Sequence, residues 1–466
     1  MARWQQLLGA LLVLLLLASL AGNALFFVEA RREGRRAATL EVQVATLEGE
    51  IRTMRRQLRA LPTPTPDPAR LQELMDTIAE QTAELRQLDP LTPVPRHLLS
   101  QEEMGRFLAQ KLEEEYPQEE AEQDAVVLAT LELIPPDLDL YQMITEMLGE
   151  QVAGLYDPDE GVFYLVSFSG RLGALEKATF AHEYTHALQD QHFDLKALGF
   201  GKEKTDKDDD QLQAIQALVE GDATFTQQQY MTTYFSATEV LSLLRQSLAV
   251  DQEVLNQAPP FLRESLLFPY QEGLRFVQAL YLRGGWPAVN AAYAAPPRST
   301  EQILHPERYP EDTPQVVTLP PLTDTLGSGW HLVDENVLGE FTLRAYLDVY
   351  LPRSQAAQAA EGWDGDRYAV YQDATTDQTV LVVGILWDDV AEMTEFDEAY
   401  RAYAVERFGE ATPSIEGETW VGWEGETDVL LLAQDWETEG GPETFIVLAP
   451  DRTVAERVLQ TALALP

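Results

Sequence analysis

The chain has 466 residues, 45% of them hydrophobic, no cysteine and a formal net charge of −44. Disulfides, thiolate metal ligands and a cysteine nucleophile are therefore excluded, and so acidic a surface repels nucleic acid, so no DNA or RNA partner is expected. Such a charge serves solubility or adaptation to salt more readily than a specific partner.

The charge is uneven. Residues 1–66 hold nine Arg and five Glu, which leaves −48 on the remainder. Leu7 to Val28 ("LLGALLVLLLLASLAGNALFFV") is uncharged over 22 residues. As a helix it would extend ~33 Å, the thickness of a bilayer's hydrocarbon core. The run continues through Phe26 and Phe27 with only Arg3 ahead of it, which favours an uncleaved transmembrane signal anchor over residues 1–30. Arg31, Arg32, Arg35 and Arg36 favour a cytoplasmic flank. Large domains translocate despite such charges, so a single-pass protein with an extracytoplasmic globular part is expected.

Leu40, Val44, Leu47, Ile51, Met54, Leu58 and Leu61 alternate steps of four and three, the pattern of a coiled coil able to form a homodimeric stalk. "PTPTPDP" then stops the helix and makes a stiff spacer, so residues 31–68 read as stalk and spacer.

Beyond the spacer, helical spacing marks residues 69–88, 100–115, 119–133 and 137–151. A turn at Asp157–Gly161 enters a strand at 162–168. Helices follow at 172–191, 211–234, 238–256 and 270–284, then an irregular Pro-rich stretch at 294–323 and a helix at 335–350. Strands at 367–373, 379–387, 427–434 and 443–448 alternate with helices at 388–407 and 451–464. The fold class is α+β, with a mainly helical domain over 69–324 and an α+β accessory region over 325–466.

Helix 172–191 carries "AHEYTHALQDQHFDL". His182 and His186 stand four apart and face one way, the spacing at which two imidazoles suit Zn²⁺; Glu183 beside them is placed to act on water at the metal. The flanking residues are uncharged, so the helix can be buried behind this face. A third ligand is needed, and no His follows at the short spacing of HExxHxxGxxH. Glu220 sits in the apolar run "QALVEGDATF", where an unpaired charge is costly, so it is the leading candidate. Glu272 in "PYQEGLRF" is the rival. Gly221 would let the helix of the two histidines approach, Asp190 could accept the free N–H of His186, and Asp222 points off the metal face toward a neighbouring loop. "DKDDDQ" at 206–211 reads as a solvated loop rather than a calcium site.

HEYTH with a downstream "EGDA" resembles the gluzincin group of zinc metallopeptidases. The wider text "VAGLYDPDEGVFYL", "ALVEGDAT", "FPYQEGLRFV" and "GGWPAVNAAYAAPPRSTEQILHPERY" is similar to poorly characterised prokaryotic membrane-anchored and surface proteins bearing the motif. The likeness covers roughly 150–310, with "GWDGDRYAVY" at 362–371 as a weaker continuation. It implies a zincin-like domain, His182, His186 and Glu220 as zinc ligands, Glu183 as general base and a peptide or protein substrate. Gluzincins often place an Asp four residues after the ligand Glu; Thr224 stands there instead. They also use a distant His or Tyr to stabilise the oxyanion, for which the resemblance offers His305, with Tyr184, His192 and Tyr230 as further options. Strand 162–168 could pair its edge with an extended peptide. The competing expectation is a non-catalytic zinc-containing surface binding protein, which has no need of Glu183.

Overall fold

The computed structural model describes residues 68–464, apart from 152–153, 167–171, 202–204, 248–252, 410–411 and 439. The expected anchor, stalk and spacer fall on residues 1–67 and so lie outside the described residues. Among those described, no helix is long and apolar enough to cross a membrane.

The architecture is α+β. Helices α1 (Pro68–Arg86), α2 (Gln101–Glu115), α3 (Gln118–Thr130) and α4 (Leu140–Gln151) come first, with β1 (Arg96–Leu99) after α1. The hairpin of β2 (Gly154–Asp157) and β3 (Val162–Val166) leads into α5 (Ala174–Phe193) and a short α6 (Leu195–Leu198). Then come α7 (Asp209–Tyr234), α8 (Ala237–Ser247), α9 (Glu253–Gln257), α10 (Pro260–Ala294), α11 (Thr300–Leu304) and α12 (Thr323–Leu326). The last third runs β4 (Trp330–Asn336), α13 (Gly339–Asp348), α14 (Arg353–Ala360), β5 (Trp363–Asp373), β6 (Thr379–Trp387) and α15 (Val390–Phe408). It ends with β7 (Ile415–Glu416), β8 (Trp420–Glu424), β9 (Val429–Thr438), β10 (Gly441–Ala449) and α16 (Arg452–Ala462).

Two sheets divide the strands. A small one has the order β1-β3-β2, with β1 parallel and β2 antiparallel to β3. The expected peptide-pairing edge on β3 is corrected here: β3 is the central strand, flanked on both sides. The larger sheet is antiparallel, in the order β4-β5-β6-β10-β9-β8-β7. Side chains alternate across it. Tyr368, Val370, Leu381, Val383 and Ile385 enter a core shared with the helices, while Ala369, Tyr371, Val380 and Val382 face α12 and α16. Both faces are covered, which is why β6 reads as an unbroken apolar run, "TVLVVGILW".

The expected boundary at 324/325 falls inside α12, which packs on α16 and β4. One core joins Leu128, Leu218 and Val277 to Trp363 and Trp387, so the helical and sheet regions are packed together. A further cluster binds α1 and the small sheet to α5 through Ile78, Phe163, Phe180 and Leu188.

Helix α10 is longer than the expected 270–284. Pro269 lies within it, and Gly284 and Gly285 break its helical geometry, Gly285 having φ +65°. Pro287 stands just after the break, in the first turn of the second segment, where its missing N–H costs nothing. Near its middle α10 crosses α7 at backbone contact. A Cβ on Gly221 would lie 2.2 Å from Gly273, and one on Gly273 would lie 2.1 Å from the Ala217 carbonyl oxygen. Gly221 thus admits α10, and not α5 as the sequence suggested.

Candidate metal centre

Helix α5 starts where Glu176 accepts the Gly173 N–H at 3.0 Å, and ends at Asp194 in the left-handed region, φ +55°. Its middle is buried on all sides, between the small sheet and α1 on one hand and α7 on the other. Helix α7 is capped by Asp208, which accepts the Gln211 N–H at 2.8 Å. Asp210 is buried and accepts the Thr300 hydroxyl at 2.5 Å, so the end of "DKDDDQ" opens α7 and is not the solvated loop expected.

These two helices bring His182, His186 and Glu220 together; their ligand atoms all lie within 4.8 Å of one another. His182 Nε2 is 3.1 Å from Glu220 Oε2 and 3.1 Å from His186 Nε2, and His186 Nε2 is 3.4 Å from Glu220 Oε2. Ligands about 2.0–2.1 Å from a tetrahedral zinc ion stand roughly 3.3–3.4 Å apart, so this triangle has the size of one face of such a site. The donor set of two imidazoles and one carboxylate also suits that ion. Exposure is 0% for His182 and Glu183, 5% for His186 and 3% for Glu220.

The electrostatics follow from burial and proximity in the metal-free chain. Burial pushes the Glu183 carboxyl up to about 8, with Glu220's charge adding to it and His186 and the Tyr156 N–H opposing. Burial lowers His182. For His186 burial also pulls down, but the charge and hydrogen bond of Glu220 outweigh it and raise the ring to about 9. Glu220 shows the converse: burial pushes up, and the two imidazoles bring it down to about 2.

Glu183 is held from the small sheet. Its Oε2 accepts the Tyr156 N–H at 2.9 Å, while its Oε1 is buried without a hydrogen-bond partner. A Cβ on Gly154 would lie 2.8 Å from Thr179 and 3.2 Å from the Glu183 side chain, so β2 rests directly on the histidine helix.

Several expectations need correction. Asp190 does not accept from His186: it accepts the Tyr156 hydroxyl at 2.7 Å and the Leu195 N–H. His186 Nδ1 meets Gln189 Oε1 at 2.8 Å. Asp222 is not directed to a loop but lies fully buried among side chains. It accepts from Arg86 at 2.6 and 2.9 Å, from Gln189 at 3.0 Å and from the Tyr293 hydroxyl at 2.7 Å. Asp222 thus reaches His186 through Gln189. Glu272, the rival ligand, pairs with Arg275 on the surface.

His305 is not brought to the cluster. It ends α11, and its Nε2 faces Glu340 and Arg344, each at 3.1 Å. A loop histidine beside a fully buried carboxylate is held by that charge, whatever its neighbours in sequence suggest. The other oxyanion options also lie elsewhere. Tyr184 faces Arg96, His192 Nε2 meets the Asp89 carbonyl at 2.7 Å, and Tyr230 packs on Tyr234 and Phe235. The aromatic ring beside the cluster is Tyr270, stacked on His182 with centroids 6.2 Å apart.

Gln189 was legible, since i+3 from His186 shares its face. Asp222 carried the same signal as Glu220, a charge within an apolar helix. Arg86 and Tyr293 carried none, lying 136 and 71 residues from Asp222. A second acidic group, Glu301, Asp312 and Asp388, surrounds the Arg308 guanidinium, which supplies its positive charge.

A family model described as a domain of unknown function (DUF8575) matches residues 329–459. That span is the larger sheet with its helices. It contains none of His182, Glu183, His186 and Glu220. No curated protein matches the chain, and no solved structure does.

Proposed function

We propose that the chain is a zinc metallopeptidase of the gluzincin-like kind. Its zincin-like helical domain would be tethered through Leu7–Val28, its stalk could pair two chains, and its extracytoplasmic site would act on peptide or protein substrates. The observation that carries this reading is the His182–His186–Glu220 triangle with Glu183 buried beside it. These three residues would hold the ion. Zinc bound there supplies Lewis acidity, which acidifies water toward a pKa of about 7 and polarises a carbonyl.

The chain's own residues supply the rest. Tyr156 N–H fixes one oxygen of Glu183, and the other has no competing hydrogen bond. That oxygen can take a proton from attacking water and return it to the leaving amine. Gln189, on α5 itself, holds His186 at Nδ1 and is anchored to Val219 and Asp222 of α7. His305 has no part in this scheme.

The burial of the whole cluster favours a second reading, a zinc-containing binding protein without catalysis. Zinc analysis of the full chain, with casein cleavage by parent and Glu183→Gln, separates the two. One zinc in both, with cleavage falling roughly 10²–10⁴-fold in the variant, is expected. Zinc in both with no cleavage by the parent gives the second reading, and no zinc in either overturns both.

A further inference from the structure

The hydrogen bonds around Gln189 can be oriented without ambiguity. Its amide nitrogen lies 3.0 Å from the Val219 carbonyl and 3.0 Å from Asp222 Oδ2, both of which only accept. The amide oxygen therefore faces His186 Nδ1, at 2.8 Å. Nδ1 must then carry a proton, so Nε2, which faces His182 and Glu220, is the nitrogen that can offer a lone pair to a metal ion. His182 has no equivalent: its Nδ1 is buried with no hydrogen-bond partner. Of the two histidines, only His186 has its Nδ1, the nitrogen turned away from the cluster, held by a neighbour.

Asp222 in turn is fixed by α1. The Arg86 guanidinium clasps both its oxygens, each side chain being 0% exposed. Arg86 lies 4.2 Å over the Trp286 ring and donates to Asn290 Oδ1 at 2.8 Å. Trp286 donates to the Leu85 carbonyl at 2.7 Å, which fastens the end of α1 to α10.

We infer that Arg86 is a positioning residue for the metal centre, acting through Asp222 and Gln189 on the tautomer and orientation of His186. The inference rests on the zinc reading above. It makes α1, the helix that directly follows the Pro-rich spacer, a working part of a site whose ligands all lie about 100 or more residues downstream.

The test uses the full chain and reads zinc affinity by chelator competition, together with the visible spectrum of the cobalt-substituted protein. Gln189→Met removes the contact to His186 and leaves the Arg86–Asp222 pair intact. Arg86→Met alone would strand a buried carboxylate and could unfold the chain, so it is paired with Asp222→Asn. Both variants are expected to weaken zinc binding by roughly 10–100-fold and to shift the cobalt bands, with Arg86→Lys in between. Zinc affinity and cobalt spectrum equal to the parent's in either the Gln189 variant or the double variant overturn the relay. A parent that binds no zinc overturns the metal reading instead.

Discussion

The helices α5, α7 and α10 and the seven-stranded sheet bury similar aliphatic and aromatic cores but treat polar groups in opposite ways. Among the described residues, the sheet's strands fully bury only Asp366 and Thr444 as polar side chains. The two central helices bury His182, Glu183, His186, Gln189, Glu220 and Asp222 within about ten residues of one another along α5 or α7. Each such group costs a few kcal/mol unless a partner meets it. The buried positions of the sheet are nearly all apolar, whereas the helices depart from that pattern at the candidate metal centre. The family model matches the sheet region, so what is common to a family here and what forms the site occupy different parts of the chain.

That contrast can be broken at four places, taken from the largest expected effect. Glu220→Ala should weaken zinc binding by at least ~100-fold, while Glu272→Ala leaves it unchanged; the reverse result, read by chelator competition, would return Glu272 to the site. Gly273→Ala should cost about 3 kcal/mol or more in denaturant unfolding, because its Cβ must enter the Ala217 carbonyl. Ile385→Val, in the sheet, should cost ~1 kcal/mol and leave zinc affinity at the parent's value. A loss of zinc affinity there would erase the division between the two regions.

The smallest effect concerns Glu443 of β10. Burial, with Asp435 adding, raises its carboxyl from 4.5 to about 7. The folded chain therefore binds this proton more tightly than the unfolded chain does. Its contribution is fully favourable below the unfolded value of 4.5 and is lost as pH rises through about 7. Glu443→Gln should raise stability by ~1 kcal/mol at pH 8 and by little at pH 5, measured as thermal melts at both.

Much of this was legible in the sequence because it is local. HEYTH fixes two donors through helical spacing, and Glu220 stood out as a charge in an apolar helix. Helix α10 was half hidden, since Pro269 and the Gly284–Gly285 pair look like stops yet lie inside a longer packed element. Strand β4, "WHLVDEN", and β2, "GLYD", were missed: their side chains do not alternate cleanly and their pairing partners lie elsewhere. Long-range pairing escaped altogether. Nothing near Arg86 announces Asp222, and nothing near His305 announces Glu340.

One consequence concerns the order in which the chain is made. Asn290 and Tyr293, which close over Arg86 and Asp222, lie more than 100 residues beyond His186. Elongation at ~5–20 residues per second puts about 5–20 s between the histidine helix leaving the ribosome and the arrival of those two side chains. During that interval Asp222 lacks part of its enclosure. The motif is thus synthesised well before the surroundings that complete it, and a chain cut short ahead of Tyr293 would carry every proposed ligand yet lack that finished enclosure.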